Sequence, residues 1–326
     1  MKNVAVIGLG SIAKRHRANL RHIFPDASIY AMSASGRSPD KSISDADKIV
    51  TSVQELLDAQ VEFVVVASPA PFHAESATTF IENGVATLIE KPITTTLVDA
   101  NKIVAAQEKY KTPVGVGYCL RFLPSAKVMK ESIDSGVIGR PYFSNIEIGQ
   151  YLPDWRPTTN YLKSVSAQLE LGGGALLELS HELDYAAWLL GELKLEHAVL
   201  KCSDELDLKV EDTADIMCST SKNVVAHIHL DFLQKKAYRK CRVVGTEGAL
   251  EWDLIKNQVR LITNDNNGEV LYFEPEWDRN QMYINMMLDF LSKSDQMQGC
   301  ATSVTEATKT VSLIESIKCQ FPLRNI

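Results

Sequence analysis

Glu90-Lys91-Pro92 follows directly on the mostly apolar run Ala86 to Ile89, in a chain whose opening strand already leads into the turn Gly8-Leu9-Gly10-Ser11-Ile12-Ala13. A lysine at the C-terminal end of a parallel strand stands at the edge where open α/β sheets bind their ligands, so its ammonium can reach both a nicotinamide ribose and a substrate hydroxyl. The pairing points to a dehydrogenase. Pro92 fixes its own φ, which lets the turn that aims Lys91 be held rigidly.

The glycine turn lies immediately after an apolar run and immediately before a helical pattern. In that setting Gly8 allows the tight turn, Gly10 lets the N–H groups at Ser11 and Ile12 approach a pyrophosphate, and Ala13 lets the helix pack close to the strand. An NAD site usually places Asp or Glu at the end of the second strand to grip the ribose 2'-OH. That acid is absent here, because Ser28 to Met32 runs into Ser33-Ala34-Ser35-Gly36-Arg37. The Ser33 and Ser35 hydroxyls and the Arg37 guanidinium suit a 2'-phosphate, so NADP is favoured over NAD. Ser68, Pro69 and His73, which follow the run Phe63 to Ala67, and Glu90 beside Lys91 complete the expected cofactor contacts, although His73 could equally cap or pack against its helix.

A second group lies in Gly172-Gly173-Gly174-Ala175-Leu176-Leu177-Glu178-Leu179-Ser180-His181-Glu182-Leu183-Asp184, followed by an apolar helix through Leu190 that stops at Gly191. Glu178 and Asp184 each stand three residues from His181, so at helical spacing both carboxylates can flank the imidazole. A histidine with an ordinary pKa of about 6.5, held by acids, can take an alcohol proton as hydride leaves, or return it. His181 is the expected acid/base, next to a flexible triple glycine. His227, His229 and Asp231 alternate on one strand face, and three ligands in a flat row cannot close a tetrahedron, so no metal is expected. The loop Tyr151-Leu152-Pro153-Asp154-Trp155-Arg156-Pro157 can stack Tyr151 and Trp155 on a sugar ring and pair Arg156 with hydroxyls or phosphate. A structured connector is the alternative.

The elements that must position these groups change character along the chain. Up to residue 120, strands at Asn3 to Ile7, Ser28 to Met32, Phe63 to Ala67, Ala86 to Ile89 and Pro113 to Val116 alternate with helical patterns at Ser11 to Ile23, Ser52 to Ala59, Phe72 to Asn83 and Thr94 to Tyr110. Near-continuous apolar strands in βαβ rhythm imply a doubly wound parallel sheet covered on both faces. Beyond, longer strands at Tyr142 to Ile148, Leu193 to Cys202, Thr213 to Thr220, Val224 to Phe232, Cys241 to Gly245, Ala249 to Trp252 and Val259 to Thr263 suggest an α+β domain with an antiparallel sheet. Turn signals at Ser221-Lys222-Asn223, Gly245 to Gly248 and Asn264 to Gly268 separate them. Two closing helices, Asp278 to Lys293 and Val304 to Cys319, could cover one face of that sheet or return to the interdomain seam.

The expected domains are therefore 1–120, binding NAD(P), and 121–326, binding substrate and forming oligomer contacts. With 326 residues, 45% hydrophobic and 23% charged, the chain has an ordinary soluble composition. A net charge of -7 and the lack of any Lys/Arg run exclude a nucleic-acid surface. Cys119, Cys202, Cys218, Cys241, Cys300 and Cys319 show no ligand-like spacing and are expected as reduced, mostly buried thiols. No apolar stretch approaches the ~18 residues that a membrane span needs, and the expected location is the cytoplasm.

Taken in order, GLGSIA, EKP, Gly117-Tyr118 with Leu120-Arg121-Phe122, and GGGALLELSHELD resemble the glucose-fructose oxidoreductase, inositol dehydrogenase and MocA family over almost the whole chain. The resemblance implies a Rossmann domain, a C-terminal open antiparallel sheet used for homo-oligomer contacts, and NAD(P)-dependent oxidation or reduction of a sugar or cyclitol carbon. It implies that Lys91 is catalytic and cofactor-facing, that His181 is the acid/base with Asp184 as its companion acid, and that Arg121 lies among the substrate contacts. Many members place an Asp four residues before the histidine. This chain has Leu177 there, with Glu178 three before, which leaves the part of Glu178 in substrate binding open. The YLPDWRP loop with the SHELD variant resembles a subgroup associated with bacterial surface-sugar pathways, which implies a sugar or nucleotide-sugar substrate. A dinucleotide-binding sensor or scaffold would share the fold, since fold alone does not establish chemistry; the retained Lys91 and His181 speak against it.

Overall fold

A computed structural model describes residues 1–39, 42–294 and 302–325. The first elements are β1 (Asn3–Ile7), α1 (Ser11–Ile23), β2 (Ser28–Met32), β3 (Lys48–Val50), α2 (Val53–Asp58), β4 (Phe63–Val66), α3 (His73–Glu82), β5 (Ala86–Ile89), α4 (Leu97–Tyr110) and β6 (Val114–Val116). There follow α5 (Pro124–Asp134), β7 (Pro141–Gly149), α6 (Ala175–Glu178), α7 (His181–Leu190), β8 (Leu193–Cys202), β9 (Thr213–Thr220) and β10 (Val225–Asp231). The chain continues with β11 (Tyr238–Gly245), β12 (Ala249–Asp253), β13 (Gln258–Thr263), β14 (Asn266–Phe273), α8 (Gln281–Ser294), α9 (Val304–Gln320) and β15 (Arg324–Asn325).

These elements form two compact units, one of Met1–Cys119 with Asn280–Ser312, the other of Leu120–Arg279 with Leu313–Ile326. The first is built on a six-stranded parallel sheet in the order β3-β2-β1-β4-β5-β6. Its central strands are buried on both faces, as continuous Val/Ile runs require when helices cover both sides. The strand order reverses between β1 and β4, and that reversal opens a crevice at their C-terminal ends. Local signals set the helix boundaries. Ser52 caps α2 by accepting from the Glu55 N–H while the Glu55 carboxylate accepts from Ser52 and Thr51, and Thr96 caps α4 through the Asp99 N–H. Helix α8 belongs to this unit, where Phe290 stacks on Phe63 at 5.5 Å, and Val304, Ala307 and Val311 of α9 join its core.

The second unit is built on a nine-stranded sheet in the order β14-β13-β12-β11-β7-β10-β9-β8-β15. Its pairs are antiparallel except β7 with β10 and β8 with β15. Burial alternates along β7, β9 and β11, so one face is apolar and packs against α5, α6 and α7, and the other faces outward. Trp252, fully buried, anchors the covered face by donating to Ser125 Oγ at 2.9 Å and taking Tyr185 edge-to-face at 5.2 Å.

The doubly wound sheet with a large, mainly antiparallel second sheet is as the sequence predicts. Two strands go beyond that reading. β3 is a three-residue edge strand, too short to show a period. β14 begins inside the stretch read as the turn Asn264 to Gly268, because Thr263 pairs directly with Asn266 and the turn shrinks to two residues. Pairing there overrides the poor strand preference of Asn-Asn-Gly. Cys119, Cys202, Cys218 and Cys241 are buried thiols outside any disulfide and Cys319 is an exposed one; Cys300 lies outside the described residues. Among the described residues no helix is long and apolar enough to cross a membrane.

Candidate active site

Gly8 ends β1 with φ +117°, and a Cβ there would stand 2.4 Å from the Ala67 carbonyl oxygen, so only glycine lets the turn press against the end of β4. Its N–H donates to the Met32 carbonyl at 2.7 Å, and buried Arg17 reaches its carbonyl at 3.3 Å and that of Ser44 at 2.9 Å. Gly10, the N-cap of α1, has nothing within 4 Å of where a Cβ would point, and α1 has neither a side-chain cap nor an acid in its first turn. The N–H groups of that turn are thus open to an anion. Ala13 is fully buried against the sheet.

Beside this turn a cavity of about 260 Å³ is lined by Gly8, Leu9, Ser33, Ala34, Ser35, Arg37, Pro69 and Phe72. Ser33 and Ser35 hydroxyls lie 3.1 Å apart, and among the described residues no carboxylate lines the cavity. Ser68 Oγ is buried with no hydrogen-bond partner among the described residues. Open helix N–H groups, a guanidinium, hydroxyls and an orphaned polar atom at the switch point together fit a dinucleotide.

One strand further along, the Glu90 N–H donates to Val66 O and the Gly117 N–H to Ile89 O, which continues the sheet's register to the edge of the turn. Lys91 is half-buried, and the Lys91–Pro92 bond is cis. The Glu90 carboxylate is buried. Its Oε1 lies 2.6 Å from Nε2 of buried His16 and its Oε2 accepts the Lys91 N–H at 3.1 Å. Burial alone would raise Glu90; the His16 hydrogen bond and charge, with Lys91, outweigh it and hold the carboxyl below the usual carboxylate range. His73 is also buried. Nε2 faces Ser68 O at 2.7 Å, and Nδ1 faces Pro92 O and Ile93 O at 3.1 and 3.2 Å, so the ring ties the β4 loop to the lysine turn. Burial lowers its pKa against the pull of those carbonyls and of Glu90.

In the second unit the triple glycine, read as flexible, is a close-packing element. Gly174 has φ +106° and a Cβ there would meet the Glu211 carboxylate at 2.4 Å; one on Gly173 would meet Ser166 O at 2.7 Å. Glu211 holds the segment by accepting the Leu176 N–H at 3.2 Å while its own carbonyl accepts from Ala175 at 2.9 Å. The helix is interrupted. α6 ends at Glu178, Leu179 sits at φ -98°, ψ 24°, and the Glu182 N–H takes the tighter bond to Leu179 O, so α7 starts afresh at His181. His181 is half-buried at that start. Glu178 accepts from Ser166 Oγ at 3.0 Å. Asp184 and Arg121, both buried, form a bidentate pair, Nε to Oδ2 at 2.9 Å and Nη2 to Oδ1 at 2.7 Å, with the guanidinium also 5.7 Å from the Trp188 ring. Glu182, fully buried, is held in the same way by Arg239.

The aromatic loop is tied to its own unit: Trp155 donates to Gln150 O at 3.2 Å and sets its edge on Phe232, and Tyr151 lies under the Lys235 ammonium. Arg156 is exposed. His229 is bound in a row on the outward face, Nδ1 to Asp215 at 2.6 Å and Nε2 to Asp231 at 3.0 Å. Among the described residues no group of His, Cys, Asp and Glu has a metal-holding arrangement. Sequence reading passed over His16, although it stands with Ala13, Arg17 and Leu20 on the buried stripe of α1, and a polar residue on an apolar stripe is the signal that would have marked it.

Comparison with known proteins bears on this geometry. The profile of the oxidoreductase family with an NAD-binding Rossmann fold matches residues 2–118, and that of the GFO/IDH/MocA C-terminal domain matches residues 126–251. A 1,5-anhydro-D-fructose reductase of Ensifer adhaerens is 31% identical over 210 residues, 62% of this chain and 60% of the relative. A myo-inositol 2-dehydrogenase of Thermotoga maritima is 25% identical over 304 residues, 88% of this chain and 86% of the relative. Among solved structures, levoglucosan dehydrogenase in complex with NADH superposes with a TM-score of 0.83 at 20% identity, covering 98% of both chains. A UDP-N-acetylglucosamine 3-dehydrogenase of Acidithiobacillus ferrooxidans does so at 0.80 and 17%, covering 98% of this chain and 97% of that one. With both family profiles matched along a Rossmann unit and its partner sheet, the chain belongs to the GFO/IDH/MocA oxidoreductase family.

Proposed function

We propose that this protein transfers hydride between a nicotinamide cofactor and a secondary alcohol or ketone of a sugar, nucleotide sugar or cyclitol. The first unit binds the cofactor; the second binds substrate and joins copies of the chain into a homo-oligomer through its sheet. The observation that carries the reading is Lys91, set at the end of β5 on a turn anchored by Glu90 and His73, one strand from the cavity at the switch point. NAD(P), when bound, supplies a hydride donor or acceptor at nicotinamide C4. The first-turn N–H groups at Ser11 and Ile12 hold the pyrophosphate. Ser33, Ser35 and Arg37 hold the 2'-phosphate, so NADP is favoured over NAD. Lys91 orients the reacting hydroxyl and stabilises alkoxide charge as it develops. His181 exchanges the hydroxyl proton. Asp184 keeps Arg121 in place, Arg121, Tyr151, Trp155 and Arg156 bind the sugar, and the reaction runs in the cytoplasm, in surface-polysaccharide metabolism.

The test mixes purified protein with NAD+ or NADP+ and a panel of myo-inositol, levoglucosan, UDP-N-acetylglucosamine and related sugars, and follows reduced-cofactor absorbance. The same is done in reverse with ketone partners such as 1,5-anhydro-D-fructose. Turnover with NADP(H) ahead of NAD(H) is the expected result. Binding of cofactor and sugars with no redox change in either direction would favour a dinucleotide-binding sensor instead.

A further inference from the structure

We propose that His16 and Glu90 act as a positioning pair, tying the helix that follows the glycine turn to the turn that carries Lys91, so that Lys91 keeps one place relative to the bound dinucleotide. The inference rests on the reading of Lys91 as the nicotinamide-facing lysine.

Helix α1 begins at the glycine turn, and His16 lies in its second turn, fully buried. Its Nε2 is 2.6 Å from Glu90 Oε1, and the other oxygen of that carboxylate takes the Lys91 N–H at 3.1 Å. A continuous path of three groups thus leads from the pyrophosphate helix through an imidazole and a carboxylate to the backbone of the lysine. A buried carboxylate left unpaired is costly, so this geometry is enforced rather than sampled.

Among the described residues the histidine has no other polar partner: its Nδ1 is buried without a hydrogen bond, and the ring meets Tyr283 edge-on at 6.0 Å, with the Arg15 guanidinium over the tyrosine at 4.7 Å. An apolar residue would fill this place on the stripe of α1 without leaving a ring nitrogen unsatisfied, so the imidazole is there for Glu90. The room for Glu90 is also shaped by Gly117, where a Cβ would meet Glu90 Cα, Cδ and Oε1, the oxygen paired with His16, each at 3.3 Å.

A readout free of turnover is available. A cation beside the nicotinamide disfavours the positively charged oxidised ring relative to the neutral reduced one, so the ratio of dissociation constants, oxidised over reduced, reports where the Lys91 ammonium stands. The ratio is measured for NADP(H) and NAD(H) by fluorescence of the reduced form and competition by the oxidised form. Lys91→Met should lower the ratio about tenfold, the scale of one charge contact in a partly wet site. His16→Leu, close in volume but without a donor, should lower it about threefold or more, whereas His16→Gln, which keeps an N–H for Glu90, should stay within about twofold of the parent. In the Lys91→Met background His16→Leu should add less than about twofold, because it acts through the lysine. Gly117→Ala presses on the Glu90 carboxylate itself and should shift the ratio in the same direction, so the test stands even if His16→Leu does not fold.

The inference is overturned if Lys91→Met shifts the ratio and neither His16→Leu nor Gly117→Ala does, or if His16→Leu lowers it as much without Lys91 as with it. A Lys91→Met protein with the parent's ratio is a different outcome. It removes the nicotinamide-facing reading of Lys91, and the positioning role falls with it.

Discussion

In the six-stranded sheet both faces are covered, and three titratable groups near the C-terminal strand ends, His16 of α1, His73 of α3 and Glu90 after β5, are buried. In the nine-stranded sheet one face is open, and its charges pair mostly across the strands, Asp215 to His229, Lys240 to Asp253, and Arg242 to Glu251 with Arg260, while His229 meets Asp231 along β10. The same residue type therefore answers to opposite forces. In His73 burial dominates and lowers the pKa, whereas in His229 the Asp231 hydrogen bond outweighs burial and, with Asp215, raises it to about 9. Polar groups in the first unit hold the backbone of a turn in one place. Those on the open face of the second sheet pair across a surface, where water shares the work, whereas the Arg121–Asp184 and Arg239–Glu182 pairs of the same unit are largely buried.

The contrast is broken most severely at the groups assigned to chemistry. Lys91→Met should lower turnover by about 10²–10³ and His181→Ala by about 10²–10⁴, the latter with reduced-cofactor affinity within about threefold of the parent. Steady-state kinetics beside fluorescence titration separates the two effects. Next comes Arg121→Met, which strands the buried Asp184 carboxylate and should cost about 3–5 kcal/mol in urea unfolding, whereas Arg242→Ala on the open face should cost less than about 0.5 kcal/mol. Equal losses would show that the two kinds of pair do not differ as their burial implies. Gly8→Ala should cost about 1–3 kcal/mol, since it forces a Cβ onto the Ala67 carbonyl in a backbone region that suits glycine, and it should weaken reduced-cofactor binding in the same titration.

The smallest effect sharpens the comparison by sign. His229 has a raised folded pKa, so its contribution is complete below the unfolded value of about 6.5 and is lost as pH rises through about 9. His73 has a lowered one, so its contribution is present above about 6.5 and is lost as pH falls toward the folded value. Melting temperature measured from acid to alkaline pH should therefore fall at both ends, with His229→Gln flattening the alkaline limb alone. A variant that flattens the acid limb instead would reverse the assignment.

Strand and helix placement was largely legible along the chain, because a doubly wound sheet announces itself through apolar runs and a half-exposed sheet through alternation. The failures are local and physical. β14 starts on Asn266, in a stretch whose composition reads as turn, and it is a strand only because β13 is there to pair with it. The break between Glu178 and His181 is invisible to helical spacing, since Leu179 and Ser180 are ordinary residues in a helical run.

Residue types and short-range spacing were enough to announce the glycine turn, the lysine turn at a strand end, the histidine that opens α7 and the two-part fold. Partnership was not legible. Asp184 is 63 residues from Arg121, Glu90 is 74 from His16 and Glu182 is 57 from Arg239. A carboxylate on a helix or strand end carries no local mark of which distant cation or imidazole will meet it. Only when the sheets close and water is excluded does an unpaired charge become costly enough to impose one partner.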